Sequence, residues 1–280
     1  MSGKPGFYTS CRVNRAIAGC LVMAIAVICA ERATAQDLDE QEITSEGLSK
    51  AKPHGWDLVI GGGVGARPTY QGSQSYEPAP IPFVSITYDD FVSLSPEGLR
   101  ATVVRLGGFT AGPLLGYLGG RRESDDAALH GLGNIQSSIT AGGFVRYEMR
   151  PFDLSATIRQ AIVHSKNGFE AEIQASYGLK LSDSLGLKIG PEITFSDGRY
   201  NQTFFGVTSA QSQSSGLHVF TPGGGVKDVG LQASLLYKLD DHWGLRGVSS
   251  VRELVGDAGS SPIVQARTQF FTGLGIAYRF

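Results

Sequence analysis

The sequence predicts an all-β chain folded as a transmembrane, antiparallel, up-and-down β-barrel. Three observations carry that reading: an export signal ahead of a cysteine-free body, long strands of unbroken two-residue alternation, and connections that are short at one rim and long at the other.

In chain order, Lys4, Arg12 and Arg15 precede an uncharged apolar run from Ala16 to Ala30, and Ala33-Thr34-Ala35 follows with small residues suited to cleavage. A basic start, an apolar stretch and such a site are the layout of a secretory signal peptide. The run is shorter than the ~20 residues a membrane-spanning helix needs. Residues 1–35 are therefore expected to be removed. Ile17-Ala18-Gly19-Cys20 looks like a lipoprotein box, but it precedes the apolar core, so Cys20 is not expected to be lipidated. Cys11, Cys20 and Cys29 are the three cysteines, so the body has no disulfide to rely on. Of 24 basic and 26 acidic residues, the signal holds Lys4, Arg12, Arg15, Arg32 and Glu31, which leaves 20 against 25. That negative balance argues against nucleic acid. Residues 36–54 are acidic and poor in apolar side chains, and are expected to form a flexible periplasmic leader.

From residue 55 onward the chain reads as strands. In 169–181, Phe169, Ala171, Ile173, Ala175, Tyr177, Leu179 and Leu181 share one face, while Glu170, Glu172, Gln174, Ser176, Gly178 and Lys180 share the other. The same alternation runs through 152–158, 185–195 and 231–239. Period-two patterning marks a strand with one apolar and one polar side. A soluble sandwich or lipocalin-type barrel would also alternate, with its apolar face inward. The strands here are about a dozen residues long, beyond the ~5–6 of globular sheets and sufficient for the roughly 9–11 a tilted membrane strand requires. Turns at 149–151, 182–184 and 240–242 are tight and polar, whereas the connections at 67–79, 121–133, 197–224 and 255–262 are long. Short periplasmic turns and long outer loops are the layout of an outer-membrane barrel.

Candidate strands fall at 55–66, 80–88, 91–95, 98–106, 108–119, 134–148, 152–163, 168–181, 184–196, 226–239, 243–254 and 264–280. Twelve is even and puts both ends in the periplasm; ten is the alternative if 91–106, whose two segments are too short to span, pairs differently. No helix-period stretch of useful length follows the signal. The chain stops on an alternating aromatic strand, as expected where the last strand closes on the first and leaves no open edge in hydrocarbon. Leu274, Ile276, Tyr278 and Phe280 resemble the C-terminal signal by which such barrels are recognised for insertion.

Tempting motifs resolve into structure. Gly61, Gly63 and Ala66 fit the dinucleotide fingerprint, but the helix it requires is replaced by a segment broken by Pro68, Pro78, Pro80 and Pro82. His54, His130, His164, His218 and His242 show no metal-ligand spacing, and His164-Ser165 has no orienting group assigned to it by sequence. No catalytic, metal or cofactor site is expected. The lumen-facing charges Arg146, Arg159, Lys180, Lys188, Lys238, Arg246, Arg279, Glu148, Asp153, Glu170, Glu172 and Glu192 mix signs, which favours pairing across the interior over a wide channel.

Several stretches resemble the MltA-interacting protein (MipA/OmpV) family of outer-membrane proteins: PTYQGS (68–73), PIPFVSITYDD (80–90), GPLLGYLGGRRESDDAALHGLGN (112–134), RYNQTFFGVT (199–208), GDAGSSPI (256–263) and the terminal GLGIAYRF. The family-motif loop residues are Arg121, Arg122, Glu123, Asp125, Asp126, Tyr200, Phe204 and Phe205, with Phe204 standing where tyrosine is more usual. The resemblance implies location in the outer membrane of a Gram-negative bacterium, reached through the periplasm, in contact with lipid and lipopolysaccharide and delivered by the barrel-assembly machinery. It further implies a non-enzymatic scaffold that joins a murein hydrolase (a lytic transglycosylase) to a murein synthase (a bifunctional penicillin-binding protein). The alternatives are a narrow outer-membrane channel and a surface, adhesion or stress-adaptation protein. The motif loops are expected to fold over the barrel mouth and bond to one another.

Overall fold

The alternation closes into a barrel. The computed structural model describes residues 55–280; the expected signal and acidic leader lie outside them. The strands are β1 (Trp56–Pro68), β2 (Tyr76–Tyr88), β3 (Val92–Ser95), β4 (Gly98–Ala101), β5 (Val104–Leu106), β6 (Phe109–Leu118), β7 (Ser138–Met149), β8 (Phe152–Ala161), β9 (Phe169–Lys180), β10 (Leu185–Ser196), β11 (Gly225–Lys238), β12 (Trp243–Leu254) and β13 (Thr268–Arg279). Each long strand pairs antiparallel with its neighbours, and β13 pairs with β1 from Val59↔Arg279 to Ala66↔Thr272. β4 and β5 are one strand of the wall, interrupted at Thr102-Val103, where Thr102 N–H donates to the Phe91 carbonyl (2.7 Å) and Val103 N–H to that of Ala111 (3.0 Å). The wall therefore has twelve strands, closed between β4 and β6.

The apolar face points outward. Val64, Leu154, Ile158, Ile173, Leu235, Leu274 and Ile276 are all exposed on the barrel exterior, an arrangement stable only against lipid. At the rim of short turns an aromatic belt forms: Trp56 against Tyr88 (4.8 Å between ring centroids), Phe152 against Tyr177 (5.1 Å), and Trp243 and Phe280 each against Tyr278 (4.9 Å). Such amphipathic rings sit at the membrane interface.

The closing seam is made of small residues. Gly61, Gly63 and Gly65 of β1 face Ala277, Gly275 and Gly273 of β13. The absence of side chains there lets Ile81 and Phe83 of β2 lean across the seam, and Val59, Phe83 and Ala277 form a buried apolar wall with Ile81 against it. The glycines that imitate a nucleotide fingerprint are thus seam residues.

Two expectations need correction in detail. β2 starts at Tyr76, four residues before the predicted 80, because Pro78, Pro80 and Pro82 read as loop yet lie in a strand with a free edge. The segment 91–106 forms the two short strands expected of it, β3 and the interrupted β4–β5 strand, in a hairpin that stops part-way up the wall. The loop 197–224 holds two short helices, α1 (Gly198–Phe205) and α2 (Ser209–Ser215), each too short to show a legible period.

Candidate functional site

The lumen is crossed by paired charges. Near the short-turn rim Arg146 meets Asp153 (2.5 Å) and Glu148 (3.2 Å), Lys188 meets Asp153 (3.5 Å), and Arg279 meets Asp57 (2.8 Å). Higher up, Arg252 grips Glu192 through Nε (2.5 Å) and Nη2 (3.0 Å), and Arg159 lies 3.9 Å from Glu172. Near the outer end Lys227 reaches Glu170 (2.5 Å) and Asp228 (3.3 Å). Glu192, Lys227 and Asp228 are almost wholly buried, which is tolerable only because each charge faces an opposite one.

Lys227, Asp228, Arg252 and Asp57 were not singled out by sequence. For Lys227 the reason is a β-bulge: Thr194 pairs with Asp228 but Phe195 with Val226, so Lys227 is the extra residue. Strict alternation places Lys227 and Asp228 on opposite faces, and the bulge turns both toward the interior.

Above the charges, the outer loops form a lid. Asp197 caps α1, its carboxylate accepting from the N–H groups of Tyr200 (2.8 Å) and Phe169 (3.1 Å). Tyr200, Phe204 and Phe205 are buried with Leu254 and Ala258, backed by Leu118, Ile135 and Val264. A second cluster joins Tyr70, Leu129, Leu132, Val207 and Ile263, from four different connections. Arg121 donates from Nη1 to the Phe204 carbonyl (2.9 Å), and Ser261 from its hydroxyl to the Phe205 carbonyl (2.6 Å). Tyr200 ties lid to wall, its hydroxyl 3.0 Å from Gln71 Nε2 and 3.5 Å from Lys227 Nζ.

Within the loop after β6, Asp125 accepts from Arg122 N–H (2.7 Å), and Glu123 from the N–H groups of Gly131 (2.7 Å) and Gly133 (3.1 Å). Asp126 accepts from the hydroxyls of Thr69 (2.9 Å) and Ser73 (3.1 Å), joining this loop to the one after β1. The Arg122 residue is exposed. Leu274, Ile276, Tyr278 and Phe280 line the outer face of the last strand, where Phe280 N–H donates to the Leu58 carbonyl (3.0 Å). His164 Nδ1 lies 2.8 Å from the Ser137 carbonyl and His130 3.2 Å from Glu123, so the two histidines serve separate loops.

Burial and the Asp126 charge push the Tyr70 phenol up to about 12, and burial pulls Arg121 down to about 10, still protonated at neutral pH. Burial pushes the Tyr200 phenol up, and the Glu170 charge adds to it. Glu123 is held below its ordinary value, first by the Gly131 N–H. Burial opposes ionisation of Asp126, but donors from Ala128, Thr69 and Ser73 outweigh it and lower the carboxyl. A depressed carboxyl stabilises the folded loop fully above its unfolded value, roughly 4, and that contribution disappears as pH falls through the folded value. The lid should therefore loosen progressively as pH falls below about 4. Amide exchange should show Ala128, Gly131 and Gly133 losing protection there while the strands keep theirs; equal loss in lid and strands would contradict this.

The MltA-interacting protein MipA family matches residues 60–280. Outer membrane protein Omp26La of Vibrio anguillarum is 25% identical over 186 residues, covering 65% of this chain and 68% of its own length. Outer membrane protein OmpV of Vibrio cholerae is 23% identical over the same shares. Among solved structures, the NanC porin superposes with a TM-score of 0.42 at 6% identity, over 80% of this chain and all of that one. An outward apolar face, an aromatic belt and relatives named as outer-membrane proteins place this chain in the outer membrane of a Gram-negative bacterium. The chain belongs to the MltA-interacting protein MipA family.

Proposed function

We propose that this barrel is a non-enzymatic scaffold that holds peptidoglycan-remodelling enzymes, a lytic transglycosylase and a bifunctional penicillin-binding protein, against the inner face of the outer membrane. The observation that carries this reading is the lidded mouth above a lumen braced by ion pairs, which suits a rigid anchor better than a conduit. The family's description, an interaction with MltA, supports the same partner class. The periplasmic rim supplies a surface. Asp89, Asp90, Asp183, Asp240 and Asp241 lie on its short turns, and the acidic residues of 36–54 would add to that field. Such a surface suits a partner presenting lysines and arginines. The terminal residues Leu274, Ile276, Tyr278 and Phe280 would serve delivery by the barrel-assembly machinery.

The test is capture. The refolded protein is tethered, envelope extract is passed over it at physiological salt, and retained proteins are identified. Murein hydrolases and synthases should be retained, and Asp183→Lys with Asp241→Lys should lower that retention about tenfold, equivalent to ~1.4 kcal/mol. Retention of neither enzyme class, or retention indifferent to both charge reversals and to loss of 36–54, would sink the reading.

A further inference from the structure

The outer half of the barrel wall is incomplete. β2 pairs with β3 only through Ile86–Tyr88, and β6 meets β4 only at Leu99↔Leu115 and Arg100↔Leu114. The β3–β4 hairpin turns back at Ser95–Gly98. Among the described residues, Tyr76–Ser85 of β2 therefore pair with β1 alone. The result is a window with four sides. β2 is one jamb, and the far end of β6 with Tyr117 is the other. The sill is the hairpin turn, packed so closely on β6 that a Cβ on Gly98 would collide with the Leu115 carbonyl oxygen. The lintel is the junction of Asp126 with Thr69 and Ser73. Three inter-strand spacings separate β2 from β6 at the sill, about 14 Å at ~4.8 Å each.

An unpaired strand edge in hydrocarbon is costly because its N–H and C=O groups have no partner. Along its middle, this edge lacks donors. Pro78, Pro80 and Pro82 pair with Ala66, Val64 and Gly62 in an uninterrupted ladder. Proline has no N–H to exchange, so these are the non-hydrogen-bonded pairs of that ladder, and each proline nitrogen points away from β1 into the window. Three successive ladder donors are thereby removed. The same substitution stops another strand from adding to this edge, so a β-strand is not the occupant.

On the inner side of the window the half-buried Ile81 lies over the packed Val59, Phe83 and Ala277, with Leu114 buried on β6 and the ion pairs Arg67–Glu77 and Arg100–Glu97 at its margins. In front of it lie exposed Leu99, Leu115 and Tyr117 and the outer-leaflet hydrocarbon. The lid blocks approach from above, whereas the window opens sideways from the bilayer toward Ile81 and Phe83. We infer that it is a lateral portal through which the acyl chain of an outer-leaflet lipid passes from the bilayer onto the Ile81–Phe83 wall. The inference stands apart from the scaffold reading: lipid would be held whether or not an enzyme binds below.

Tryptophan quenching tests it directly. The two native tryptophans, Trp56 and Trp243, are replaced by phenylalanine, and a single reporter is placed by Phe83→Trp. The protein is reconstituted into phosphatidylcholine vesicles whose acyl chains carry bromine, which quenches tryptophan on contact. Val64→Trp on the lipid face and Gln174→Trp on the far lumen wall are the references. Quenching of Phe83→Trp near that of Val64→Trp, and several-fold above Gln174→Trp, is the expected result. Quenching no greater than that of Gln174→Trp would overturn the portal. Ile81→Trp carries the same comparison if Phe83→Trp does not fold, as judged by heat-dependent gel migration.

Discussion

Replacing Lys227 with methionine should destabilise the barrel by about 3–5 kcal/mol, the range for removing one partner of a buried ion pair. The ammonium is 2.5 Å from Glu170 and 3.3 Å from Asp228, and its side chain is only 5% exposed. Without it, two carboxylates face each other where water is scarce. The Tyr200 hydroxyl, 3.5 Å away, also loses its link to the wall, as does the Tyr200 ring, whose centroid is 5.0 Å from the ammonium. Two readouts report the loss. The urea midpoint should fall, and protease should cut within 197–224 under conditions that leave the parent intact. Adding Glu170→Gln to Lys227→Met should restore part of the loss, because one of the two orphaned charges is gone. An unchanged midpoint with an uncut lid would show that Lys227 does not join the two.

The contrast between what the residues disclosed and what they concealed comes from how local each signal is. Long strands such as β9 and β10 were legible because lipid outside and charge inside impose a period of two on every residue. The bulge at Lys227 was not, since one inserted residue leaves composition untouched and only reverses the parity of the residues beyond it. The pairing of lumen charges was foreseeable in kind from their mixed signs; the partners were not, because Arg252 and Glu192 are sixty positions apart and meet only across strands. The lid is similar: Tyr200, Phe204 and Phe205 stood out as aromatic residues in a long loop, but the backbone carbonyls that Arg121 and Ser261 reach depend on tertiary folding. Segment 91–106 was suspect on length alone, and its half-height hairpin together with the prolines of β2 gives that shortness a structural sense.

The seam between first and last strands supplies the second large effect. A side chain on Gly275 would press its Cβ into the Phe83 ring and place it 2.5 Å from the Gly62 carbonyl oxygen and 2.7 Å from the Gly63 Cα. The ring can rotate away, but the two backbone atoms can retreat only by opening the β1–β13 ladder. Gly275→Val should therefore reach or exceed the top of the usual 1–3 kcal/mol overpacking range, about 3 kcal/mol. Pairing of β13 with β1 satisfies the facing edges of both strands in hydrocarbon, so the loss should appear as a smaller folded fraction on heat-modifiable gels as well as a lower urea midpoint. Gly62→Ala is the matched control: it sits on the lipid face of β1, with nothing within 4 Å of its added carbon. It should be neutral or slightly stabilising, because alanine restricts the unfolded chain more than glycine does. If both substitutions behaved alike, the seam would tolerate side chains and the glycines would need another explanation. If only Gly275→Val fails, close backbone approach at the seam accounts for the run that looks, in sequence, like a nucleotide-binding loop.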